Sequence, residues 1–190
     1  MKNFTLTVAM LLLFAIGINA QSGIQFYGGI NYAENRSELI TPEGFSHAGY
    51  LFGLDARINE GKMYFGGGVE ISKINFLAAS DKSYFSVNNS MNWLKLRFGL
   101  GYQLIKFNKN IMMRMKTYGS INMISSYPDD MIDAPYSNYN SAVAAAVVGL
   151  GFDIHIITLD IEYERGFFNA VNMVNGTEFD FYKMMIGFKF

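Results

Sequence analysis

The chain of 190 residues has no cysteine, which excludes a disulfide scaffold and any thiolate-ligated metal centre. It has little charge: Asp, Glu, Lys and Arg make up 16% of it, against about 25% in ordinary soluble domains. The formal net charge is −1, so the composition makes no electrostatic case for nucleic-acid binding. Beyond residue 20 no apolar run approaches the roughly 20 residues a membrane-spanning helix needs. The most apolar window there, Ala142 to Leu150, is nine residues long. Against these absences stand 51% hydrophobic residues, 16% aromatics and 19 glycines, too much apolar material for a disordered chain. The length fits one domain.

Residues Met1 to Ala20 combine a basic start (Lys2), an apolar run from Phe4 to Ile18 and a small residue, Ala20, at the end. That layout predicts a cleaved secretory signal peptide, followed by one domain over 21–190. No cysteine follows it to carry a lipid anchor. The exported part then holds 14 basic and 16 acidic residues.

From there the pattern has period two, the signature of half-buried strands. Eight strands are expected, at 23–32, 47–58, 63–72, 92–104, 111–123, 142–154, 157–165 and 181–190. The breaks between them alternate, long after odd strands and short after even ones. Four long loops on one side and three short turns on the other match a transmembrane β-barrel, with short periplasmic turns and longer extracellular loops. The expected fold is all-β: an eight-stranded, antiparallel, up-and-down transmembrane barrel with both ends in the periplasm.

The composition of the two faces decides which one is dry. One face carries Asp55, Arg57, Glu70, Lys95, Arg97, Arg114, Lys116, Asp153, Asp160, Glu162, Glu164, Lys183 and Lys189, with most of the strand glycines. The other carries no charge between the strand ends, where an Arg or Lys at the bilayer midplane would be unfavourable by roughly 2–4 kcal/mol. The charged face is therefore placed inside. Buried charge must be paired, and an eight-stranded barrel is just wide enough to be filled by side chains. A salt-bridged plug is expected, with almost no conventional apolar core; a gate in which Glu162 exchanges basic partners is the alternative. On the apolar face, aromatics fall at two depths, as headgroup girdles do. Tyr32, Tyr50, Tyr163 and Tyr182 are expected near the outer rim. Phe26, Tyr102, Phe152, Phe188 and Phe190 are expected near the inner rim.

The last strand places Tyr182, Met184, Ile186, Phe188 and Phe190 at every second position. This resembles the C-terminal signal of bacterial outer-membrane proteins, which implies the barrel-assembly machinery as a partner during biogenesis. Together with Gly49-Tyr50-Leu51-Phe52-Gly53-Leu54, Gly99-Leu100-Gly101-Tyr102, Gly149-Leu150-Gly151-Phe152 and Ile186-Gly187-Phe188-Lys189-Phe190, it resembles the small outer-membrane barrels of Bacteroidota, the PorT-like family. The resemblance implies an outer-membrane location and supplies no catalytic residues.

Motifs for chemistry are sparse. His47 and His155 fall at opposite rims and cannot share a metal ion or a triad, whose groups need hydrogen-bond reach. The Gly66-Gly67-Gly68, Gly99-x-Gly101 and Gly149-x-Gly151 runs sit in strands with no helix after them, so they are not phosphate loops. Asp129, Asp130 and Asp133 match no calcium-loop spacing. No enzymatic activity, cofactor or metal is expected. The expected role is structural, or surface binding of a protein or glycan through the four long loops, as a monomer. Phe76, Tyr84, Phe85, Tyr127, Tyr136, Tyr139, Phe167 and Phe168 are the aromatics available there. An accessory role in a secretion complex and a narrow gated channel are the alternatives.

Overall fold

A computed structural model describes residues 23–35, 45–58, 62–78, 90–108, 110–126, 140–170 and 176–190. The expected signal peptide, the acidic cluster at 129–133 and most of the loop aromatics lie outside the described residues.

Eight strands follow in order: β1 (Gly23–Asn35), β2 (Phe45–Ile58), β3 (Met63–Ala78), β4 (Ser90–Lys106), β5 (Ile111–Ser126), β6 (Ala142–Ile154), β7 (Ile157–Gly166) and β8 (Phe179–Lys189). Each pairs antiparallel with its neighbours in sequence, and β8 pairs with β1, so the sheet is a closed barrel. The seam runs from Asn35 opposite Phe179 to Gln25 opposite Lys189. Reciprocal backbone bonds of 2.9 Å between Ile24 and Phe190 carry it to the last residue. Closure leaves no unpaired strand edge, the condition for a sheet in lipid. The eight-stranded, all-β barrel expected from the sequence is the observed fold.

Several strands outrun the apolar alternation, mostly at their loop ends, and β4 also at its turn end, to Lys106. β3 continues from Ser72 to Ala78, and β2 matches it, with Phe45 opposite Ala78. β1 continues to Asn35, β5 to Ser126, and β8 begins at Phe179. Ladder hydrogen bonds need only backbone, so pairing continues past the residues that alternate. Two irregularities interrupt β4 against β5, between Asn92 and Trp93 and between Gln103 and Ile105. A bulge adds a residue to one strand and breaks alternation. Hence Leu104, outward as the alternation requires, is followed by a second exposed residue, Ile105, and the alternation ends there.

Three inward tyrosines lie over glycines of nearby strands. Tyr27 covers its register partner Gly53, Tyr64 covers Gly101, and Tyr118 covers Gly99 and reaches Gly66. A Cβ at any of these four glycines would overlap the ring or hydroxyl above it. The small residues make room for the large ones in a narrow interior.

The β6–β7 turn has two residues, His155 and Ile156, and His155 adopts a φ of 58°. A positive φ at the first residue is the II′ hairpin pattern, which favours glycine there. His155→Gly is expected to stabilise the barrel by about 0.5–1 kcal/mol, the relief of left-handed strain less the added freedom of glycine. His155→Val is expected to destabilise it. Urea midpoints followed by the fluorescence of Trp93, the sole tryptophan, check both.

Candidate functional site

The inward positions of the strands form a lumen that carries a dense set of buried charges. Asp55, Arg57, Glu70, Lys95, Arg97, Arg114, Lys116, Asp153, Asp160, Glu162, Glu164 and Lys183 are all 3% exposed or less. Six are acids and six are bases, so the buried formal charges balance. Lys189 joins them from the rim, 3.1 Å from Asp153.

The network climbs from the short-turn end in three steps. At the bottom Asp153 takes Arg57 at 2.6 Å and Arg114 at 2.9 Å. Gln25 hydrogen-bonds Arg57 and donates to Thr158 at 2.7 Å, tying β1 into the same knot. Next, β5 reaches β7 across β6. Arg114 stands opposite Gly151, which stands opposite Asp160, and the Arg114–Asp160 pair (2.7 Å) spans that glycine. Lys116 pairs with Glu162 over Gly149 in the same way. A Cβ at Gly151 would stand 2.5 Å from Asp160 Oδ1 and 2.6 Å from Arg114 Cζ. The absence of a side chain at Gly149 and Gly151 of β6 is what lets the two charged strands meet.

Arg97 of β4 is the centre. Its two terminal nitrogens bond Glu70 and Glu162, each at 2.6 Å, and one also donates to the Tyr27 hydroxyl at 2.8 Å. Planar guanidinium groups suit such divided, charge-assisted contacts. Above it Lys183 pairs with Glu70 and Glu164, both at 2.6 Å, and Lys95 pairs with Glu164 at 2.8 Å. Asn122 adds a hydrogen bond to Glu164 at 2.5 Å. Asp55 stands apart: its Oδ1 is buried without a hydrogen-bond partner among the described residues, and it acts on Arg97 through space.

The loop end of the lumen is apolar, contrary to the expectation of almost no conventional core. Ala33, Ile74, Met91, Trp93, Ile124, Val143, Ala170, Phe179 and Phe181 form a buried cluster. Trp93 meets Phe179 and Phe181 edge-on, at 5.5 and 5.7 Å between centroids. Lys95 Nζ sits 3.4 Å above the Phe181 ring, a cation–π contact joining the cap to the charges below. Part of the β7–β8 connection folds over the cap, with Ala170 bonded to Thr177 at 3.0 Å and Asn140 to Ala170 at 2.8 Å.

The outward face carries the opposite chemistry. Phe52, Phe65, Phe98, Ile71, Ile161 and Met184 are each more than half exposed. Tyr32, Tyr182 and Tyr163 form one row across β1, β8 and β7, with the Tyr163 and Tyr182 rings 5.2 Å apart. Tyr50, on β2, is half-buried beside Phe52. At the opposite rim Phe26 faces Phe188 and packs edge-on against Phe190, with Phe152 exposed nearby on β6. Ile186 and Phe188 are also exposed on β8. Lys62, at the β2–β3 turn, lies 5.4 Å over the Tyr102 ring, and its hydrogen bond with Tyr102 raises the ammonium pKa. His155 is exposed in its turn, while the backbone of His47 lies at the other end of the barrel, opposite Ala33. Among the described residues no cluster of His, Asp and Glu could hold a metal ion.

A closed eight-stranded barrel with a charged interior and an apolar exterior defines the class by fold. Within that class, the chain is similar to neisserial surface protein A (NspA), with a TM-score of 0.55 at 12% identity, covering 90% of this chain and 98% of that one. Two further solved structures align: Ail of Yersinia pestis (TM-score 0.44, 11% identity, 89% and 97% covered) and the N-terminal barrel domain of Pseudomonas aeruginosa OprF (0.48, 10%, 90% and 98%). No family model matches the chain, and no curated protein matches it.

Glu162→Gln leaves Arg97 and Lys116 without a full countercharge in a buried site. It is expected to destabilise the barrel by about 3–5 kcal/mol, the range for breaking a buried ion pair from one side. Urea unfolding of the barrel in detergent micelles measures it.

Proposed function

We propose that the chain is a non-enzymatic integral outer-membrane β-barrel protein, with its termini in the periplasm and four long loops at the cell surface. The observation that carries this is the inversion of the two faces. Twelve charges are buried in the lumen while large aliphatic and aromatic side chains cover the outside. A soluble barrel of this size would expose the charges and bury the phenylalanines. The row of outer tyrosines and the opposing Phe26–Phe190 contact sit where headgroup girdles belong. The fold shared with neisserial surface protein A supports the same placement.

The test is gel mobility of the outer-membrane fraction with and without boiling. A folded barrel is expected to migrate faster before boiling and to shift afterwards. A band that does not shift overturns the proposal.

The lumen reads as a plug. Glu162 is held by Arg97 and Lys116 together, with Lys183 at 3.9 Å, so it has no vacant partner to exchange with. The apolar cap closes the outer end. Planar-bilayer recordings are expected to show no steady open current; sustained unitary conductance would identify a channel instead.

The role at the surface is structural, or binding of a protein or glycan by the loops. A second reading, drawn from the resemblance of the strand motifs to PorT-like barrels, is an accessory subunit of a secretion or envelope-assembly complex. Mild detergent extraction separates the two, since an accessory subunit brings stoichiometric partners with it.

A further inference from the structure

The charged residues outside the lumen are sorted by end. At the loop end, segments 33–46, 73–91, 124–141 and 165–180 hold nine acids and four bases. At the turn end, segments 59–62 and 105–110 and the last residue of β8 hold four lysines and one glutamate, Glu60. The twelve lumen charges cancel, so the chain is acidic at one end and basic at the other.

The basic end is itself uneven. Lys189 is turned onto Asp153 and is 14% exposed. The β6–β7 turn contributes only His155 and Ile156. Lys62 and Lys106, by contrast, are both exposed, and they stand at one corner. The Lys62 carbonyl accepts from the Gln103 amide at 2.9 Å, which sets Lys62 beside β4 three residues short of Lys106. Their backbones are on the order of 10 Å apart, at ~3.3 Å per residue. Lys62 carries its ammonium out over the Tyr102 ring, 5.4 Å from the centroid, and donates to the Tyr102 hydroxyl. Asn108 Oδ1 accepts from the amides of Asn110 and Ile111, both at 2.8 Å, and so fixes the turn that follows Lys106. The surface beside the two lysines is apolar, with Met63, Leu104 and Ile105 all exposed. The bulge after Gln103 is what adds Ile105 to this outward patch.

We propose that this corner binds an anionic phospholipid of the periplasmic leaflet. The headgroup phosphate lies between Lys62 and Lys106, and the acyl chains run along Met63, Leu104 and Ile105. Charge complementarity selects this occupant. A phosphatidylglycerol headgroup brings one negative charge to two exposed lysines, and cations beside an anionic membrane surface are each favoured. A phosphatidylethanolamine headgroup brings an ammonium as well, and among the described residues of the turn end no acidic side chain is exposed to receive it. The inference rests on the outer-membrane reading, since it needs the turns to face the periplasm.

The test uses the full barrel, reconstituted in vesicles holding equal phosphatidylglycerol and phosphatidylethanolamine with identical acyl chains. Folding is first checked by the boiling shift. The barrel is then extracted in mild detergent, and retained lipid is counted by native mass spectrometry. The wild type is expected to retain phosphatidylglycerol over phosphatidylethanolamine by about tenfold. Lys62→Gln with Lys106→Gln is expected to bring that ratio near unity with the boiling shift intact. Lys73→Gln with Arg165→Gln, which removes two cations at the loop end, is expected to leave the ratio unchanged. Equal retention of the two lipids by the folded wild type, or a preference for phosphatidylethanolamine, overturns this inference and leaves the barrel standing. So does a preference that survives the turn-end variant, or one that the loop-end variant abolishes. A wild type that shows no boiling shift overturns both.

Discussion

Everything in this barrel turns on the need of a buried charge for a partner. Twelve formal charges sit in a lumen with a sheet on all sides, and in such a medium an unpaired charge is unfavourable by several kcal/mol. Arg97 answers this for the centre by dividing its guanidinium between Glu70 and Glu162. Those two acids in turn hold Lys183 and Lys116, so that no member of the middle layer can be moved alone. The pairs also dictate where side chains must be missing. Gly149 and Gly151 are bare because β5 and β7 meet above them. Composition that looks merely glycine-rich is thus the imprint of the charge network on the strand between.

The lumen is built in two chemistries, with ion pairs below and an aromatic cap above. Lys95 belongs to both, bonded to Glu164 and seated on Phe181. A cap of Trp93, Phe179 and Phe181 keeps water from the loop side off the upper salt bridges, and exclusion of water strengthens them. The exterior needs no such design. It requires only large apolar residues at alternate positions and amphipathic ones at the two rims.

The eight strands, their order and the two faces were all legible in period-two patterning, because each strand separates lumen from exterior residue by residue. The twelve lumen charges were legible for the same reason. The cap was not. Ala33, Ile74, Met91, Ile124 and Phe179 all lie just past the ends where alternation stops, in stretches that read as loop. Backbone pairing carries the strands further than the apolar signal does, and the cap is made from that extension. The partners within the network were not legible either. Glu70 on β3 and Lys183 on β8 are brought together only by closure, and no local spacing encodes it. The bulge at Gln103 left a weak trace, two consecutive apolar residues at Leu104 and Ile105, where alternation would allow one.

Seven of the eight strand pairings join neighbours in the chain, and each can zip as a hairpin. The β1–β8 seam is different, for it joins the two ends of the barrel sequence. Contacts of long sequence separation form late, because loop closure must precede them. Until the seam closes, Lys183 lies far from Glu70 and Gln25 far from Thr158 and Asp160. An open sheet would therefore carry two kinds of defect together, bare backbone edges and unmatched charges. Both are removed in one event. The seam thereby makes assembly cooperative: a nearly finished barrel gains little, and only the ring that shuts in the correct register settles into place.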